Sequence, residues 1–105
     1  MVGRANWKWQ KEWYKSTQKV GNKSAKEIIK ILEEAILLTV KESQKIEYNR
    51  LYGIVSMELQ GMGFDNEIDL IWARNHIWDV VKLLQEKKRL SVKATKKGLE
   101  VADRK

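Results

Sequence analysis

The apolar positions fall into three runs of helical period and one short alternating run. From Ile28 onward Ile31, Leu32, Ala35, Leu38 and Thr39 recur at three-to-four spacing, while Ile29, Ile36, Leu37 and Val40 widen the stripe over most of the circumference. A helix so apolar calls for burial on more than one side. Ser24 stands at its N-cap position, and Glu27, three residues on, completes a capping box. A second helix is predicted from Ile46 to Gln60, with Tyr48, Leu51, Tyr52, Val55 and Leu59 on one face and Glu47, Arg50, Ser56 and Glu58 opposite. Gly61-Met62-Gly63 ends it, and Asp65 or Asn66 caps a third, whose first turn holds Glu67 and Asp69. Leu70, Ala73, Ile77, Val80, Val81 and Leu84 keep helical spacing through that region. They fit one helix of about 23 residues, roughly 34 Å long, or two helices broken near Arg74-Asn75. The tail reads as a short extended piece, Leu90 to Ala94, and a terminal helix capped by Thr95 and carrying Leu99, Val101 and Ala102.

Composition narrows the chemistry. The 105 residues include no proline, six glycines, no cysteine and a single histidine, His76. Disulfides, thiolate metal sites, cysteine nucleophiles and paired-histidine metal motifs are thereby excluded. The acidic pairs Glu33-Glu34, Glu67 with Asp69, and Glu42 with Glu47 lie beside neither a histidine nor a glycine-rich phosphate loop. The expectation is a non-enzyme without metal or cofactor. A proline-free chain with this periodicity predicts an all-α or mainly α fold, a small helical domain over residues 24–105 preceded by a basic, tryptophan-rich segment over 1–23. The longest apolar run, Ala35 to Leu38, is far short of a membrane span. A soluble cytoplasmic protein is expected.

The net charge of +7 is unevenly spread. Residues 1–23 carry six bases against one acid, residues 82–105 nine against three, and residues 24–81 six against ten. Two basic ends around an acidic centre suit a polyanionic partner, duplex DNA first, or an acidic protein; lysine-rich ends serving solubility alone explain the same numbers.

The stretch from Arg74 through Trp78, Leu83 and Leu84 to Leu90, followed by Thr95-Lys96-Lys97-Gly98, resembles the recognition helix, its exit and the Thr-x-x-Gly step of winged helix-turn-helix regulators of the multiple-antibiotic-resistance and related repressor families. The resemblance covers about residues 46–105. It implies a DNA-binding transcription regulator, working as a homodimer on a twofold operator. With so few residues between Leu90 and Thr95 the wing is expected to be vestigial, and a plain helical bundle acting as a non-catalytic protein-interaction module accounts for the same residues.

On the regulator reading, Arg74, Asn75, Asp79 and Lys82 face base edges in the major groove, while Lys87, Lys88, Arg89, Lys93, Lys96 and Lys97 meet phosphates. On the bland reading, Arg74 and Lys82 sit on a solvated helix face, and Lys87, Lys88 and Arg89 complement a helix dipole. The interleaved aromatic and basic run from Asn6 to Lys15 carries Trp7, Trp9 and Trp13. Trp9 and Trp13 share a face if helical, which favours a helix docked on the domain or on a second subunit over stacking on nucleic-acid bases.

Overall fold

Residues 13–104 are described by a computed structural model. A 3-10 turn, Trp13–Lys15, leads into a strap that reaches helix α1, Ala25–Ser43. Strand β1, Lys45–Glu47, follows, then helix α2, Tyr48–Glu58, with a closing 3-10 turn, Leu59–Gly61. Helices α3, Glu67–Asn75, and α4, Ile77–Glu86, precede a hairpin of β2, Leu90–Thr95, and β3, Gly98–Asp103. The three strands form one antiparallel sheet in the order β1-β3-β2.

Helix α1 starts as its sequence dictates. The Ser24 hydroxyl accepts from the Glu27 amide, and the Glu27 carboxylate accepts from the Ser24 amide and hydroxyl at 3.0 and 3.1 Å. Its wide apolar stripe is covered inside the domain, with Ile28, Ile29, Leu32, Ala35, Ile36 and Val40 buried and Leu38 left exposed. The other helices complete this core through Leu51, Val55 and Leu59 at i+4 spacing and through Ala73, Ile77, Val80, Val81 and Leu84. Leu90, Val101 and Ile46 close it from the sheet.

The expectation of an all-α or mainly α domain, and with it the plain bundle, is overturned by this sheet. Leu90 and Val92 point inward on alternate residues of β2, opposite Asp103 and Val101, and Ile46 of β1 pairs with Val101 from the other side. The segment read as a helix capped by Thr95 is the hairpin turn. Thr95 Oγ1 accepts from the Lys97 amide at 3.2 Å and donates to the Gly98 carbonyl at 3.0 Å. Gly98 takes φ 124°, which residues with a side chain rarely adopt. Leu99 and Val101, spaced by two, follow a strand period and not a helical one. Where a vestigial wing was expected, the chain forms a full hairpin of two six-residue strands. Ile46, likewise read as a helix start, belongs to β1.

Two helix boundaries have specific local causes, one in a side chain and one in the backbone. In a continuous helix the Trp72 carbonyl would accept from the His76 amide. Here the His76 ring takes that carbonyl, with Nδ1 at 2.7 Å, and stacks on the Trp72 indole, while the His76 amide turns to Ala73 at 3.1 Å. The helix breaks at that residue, separating α3 from α4 just beyond Arg74-Asn75. Helix α4 then ends in a Schellman motif: the Lys88 amide donates to the Gln85 carbonyl, the Arg89 amide to that of Leu84, and Lys88 takes φ 61°.

Candidate nucleic-acid interface

Helix α3 is anchored by Asn66, whose side chain accepts from the Ile68 and Asp69 amides. Asp69 itself is buried, and its carboxylate collects the amides of Gly21, Asn22 and Lys23 at 2.8, 2.9 and 3.1 Å. The strap before α1 is thereby fastened to the helix that precedes the kink. Gly21 has to be glycine there, because a Cβ would stand 2.6 Å from Asn66 Oδ1. Residues 16–23 thus belong to the domain, tied also by Ala25 and Lys26 amides donating to the Gln18 and Ser16 carbonyls. Trp7 and Trp9 lie outside the described residues, and Trp13 opens the 3-10 turn.

The residues expected to face base edges fall into two groups. Arg74 is half-buried, and its Nη2 donates to the Ser56 carbonyl at 3.4 Å, bracing α3 against α2. Its Nε and the Ser56 Oγ are buried without a hydrogen-bond partner. Asn75 and Lys82 are exposed, on the last turn of α3 and midway along α4, and Asp79 is half-buried between them. Asp79 precedes Lys82 by three residues and Glu86 follows it by four, so acids flank the one lysine of that face on both sides.

An aromatic cluster that periodicity assigns to the core borders this face. The Tyr48 and Trp78 rings meet edge to face at 5.0 Å, and Tyr52 lies 6.3 Å from Tyr48. Burial, with smaller contributions from Tyr52 and Asp79, pushes the Tyr48 phenol up to about 12. Tyr52 is 40% exposed, lying one residue beyond the buried Leu51. Nothing but its hydroxyl marks it in the sequence as a surface residue.

The residues expected to meet phosphates also divide. Lys87 Nζ lies 2.8 Å from Glu33 Oε2 of α1 and 5.3 Å from the Tyr14 ring centroid, which ties α4 to the first helix and the strap. Lys88 and Arg89 lie exposed on the α4 exit. Lys93 occupies the outward face of β2 opposite Glu100, and Lys96 and Lys97 form the exposed hairpin turn. Among the described residues no cluster of three or more potential metal ligands occurs, and no helix is long and apolar enough to cross a membrane. Comparison with protein-family models, with curated proteins and with solved structures finds no match to this chain.

Proposed function

We propose that this chain is a small DNA-binding protein of the winged helix-turn-helix kind, a cytoplasmic transcription regulator acting as a dimer. The observation that carries the reading is the element order: a long helix, a short strand, a helical pair kinked at His76, and a basic hairpin whose second strand pairs with the first strand. That order is compatible with a helix presented to the major groove and a wing beside it. The basic excess of the last third of the chain supports a polyanion as partner. The test is a titration with random duplex DNA across a range of salt concentrations, with single-stranded DNA and RNA in parallel. Expected is duplex binding that weakens steeply with salt; no binding at low salt would remove the reading.

One observation favours a second reading, a protein-interaction module. Ile68 and Ile71, three apart on α3, are 59% and 48% exposed, and Met57 on α2 is 76% exposed. The same residues are where a dimer contact has to be sought, since α1 buries its stripe internally. Sedimentation with Ile68→Ser/Ile71→Ser distinguishes a self-associating chain, whose mass falls, from a monomer, whose mass does not change.

A further inference from the structure

We propose that two copies of this chain pack through the exposed face of α3 across a twofold axis, each Glu67 meeting Arg74 of the other copy. The inference rests on the dimer named in the reading above and says which surface forms it and in what register. Its basis is the layout of one short helix. In α3 Asp69 and Ala73 are buried, while Glu67, Ile68, Ile71 and Asn75 are exposed. At about 100° per residue, Ile71 stands in the middle of that exposed face. Ile68 and Asn75 lie on one flank of it, and Glu67 and Arg74 on the other. A helix face that only meets water carries polar residues at its centre, not isoleucine.

Neither charge on the second flank is neutralised within the described residues. Glu67 is exposed on the first turn, without a hydrogen bond or ion pair there. Arg74 makes one long hydrogen bond, 3.4 Å to the Ser56 carbonyl, and its Nε has no partner. Seven residues separate the two, about 10.5 Å along the axis, too far for them to pair with each other. A twofold axis perpendicular to α3 at the level of Ile71 reverses the helix direction and keeps each flank on its own side. Glu67 of either copy then lies level with Arg74 of the other, and the two Ile71 side chains meet near the axis. Charge and apolar surface are thus self-complementary in one orientation, as an isologous contact requires. Met57 follows Ser56, so it borders the same flank and extends the apolar area. A nine-residue helix supplies less than the roughly 800 Å² per partner of a standard interface, so the dimer is weak, with a dissociation constant of roughly tens to hundreds of micromolar.

The test is sedimentation equilibrium of the full chain and four variants, each checked by circular dichroism and melting against the parent. Glu67→Lys and Arg74→Glu alone set like charges against each other twice, and each should weaken the dimer by roughly tenfold. An equimolar mixture of the two, one of them isotope-labelled for native mass spectrometry, should form a heterodimer within about threefold of the parent affinity, because both pairs are then opposite in sign again. Ile71→Lys should abolish the dimer, while Leu38→Lys, at an exposed apolar residue of α1, should leave it unchanged. If Arg74→Glu melts well below the parent, through loss of its brace on Ser56, the Ile71 and Leu38 variants decide alone. The inference is overturned if the parent dimerises and Ile71→Lys does so equally well, if Leu38→Lys is the variant that breaks the dimer, or if two folded charge variants fail to pair when mixed. A parent that stays monomeric overturns the dimer itself and this contact with it, whereas DNA binding is decided separately by the duplex titration.

Discussion

Asp69 does the most of any single side chain to hold distant parts of the chain together. Its carboxylate accepts three consecutive backbone amides from the strap, and it is buried while doing so. Hydrogen bonds to a charged acceptor contribute more than neutral ones, and replacing that acceptor leaves the amides to find water in a partly closed site. Asp69→Ala should therefore cost about 2 to 4 kcal/mol in urea unfolding, against less than about 0.5 kcal/mol for Glu67→Gln on the exposed side of the same turn. Two other residues make stability depend on pH. Hydrogen bonds from Ser24 backbone and side chain, aided by Lys19 and Lys23, hold Glu27 below the usual carboxylate range. Its contribution is complete at neutral pH and is lost as the pH falls through that lowered value. Tyr48 works in the other direction. Its neutral form is favoured in the fold, so its contribution is complete below the ordinary tyrosine value of about 10 and is lost as the pH rises toward about 12. Thermal melts as a function of pH should show the acid limb flattened in Glu27→Gln and the alkaline limb flattened in Tyr48→Phe.

The element boundaries show what the amino-acid pattern carries and what it leaves out. The α1 start is legible because a capping box is local: Ser24 and Glu27 satisfy one another within a single turn. The break between α3 and α4 is not, because Ala73, Ile77, Val80 and Leu84 stay in phase across it and the cause is one ring taking one carbonyl. The β2–β3 hairpin escapes the pattern for a different reason. Thr95-Lys96-Lys97-Gly98 fits a helix cap as well as a hairpin turn, and the pairing of β3 with β2, and with β1 far earlier in the chain, decides the matter. The sequence pattern places Lys82, Lys88, Lys93, Lys96 and Lys97 at the surface, where they lie, but it does not show the brace of Arg74, whose partner Ser56 is eighteen residues away on another helix. The α4 exit is a boundary open to improvement. Lys88 takes a left-handed conformation that glycine adopts without steric cost, so Lys88→Gly should stabilise the domain by about 0.5 to 1 kcal/mol in urea unfolding. On the outward sheet face Glu47 and Glu100 are directly paired, with Lys93 next in the row. Like charges so placed repel, but Glu47 also stands at the N-terminus of α2, where an acid is favoured, so the two effects offset and Glu47→Lys should change stability by less than about 0.5 kcal/mol.

At the scale of the whole molecule, the described part of the basic N-terminal segment packs on the helical domain, as a docked segment would. The boundary expected near Ser24 cuts through a set of interactions that join the strap to three helices. Tyr14 and Val20 pack on the core, Tyr14 also faces Lys87 at the end of α4, and the turn at 21–23 lies in the grip of Asp69. A chain begun at Ser24 loses that apolar packing together with the three strap amides on the Asp69 carboxylate, and should be less stable by about 2 to 4 kcal/mol. The loss also makes a coupling prediction. In the full chain Asp69→Asn should cost about 2 kcal/mol, since an amide is a weaker acceptor and brings two donors into a site that already holds three. In the shortened chain the same substitution should cost close to nothing, because the carboxylate then faces water. A double-mutant cycle in urea unfolding measures the difference, with an interaction energy of about 2 kcal/mol expected. Equal costs of Asp69→Asn in the two chains would mean that the strap is not what Asp69 holds.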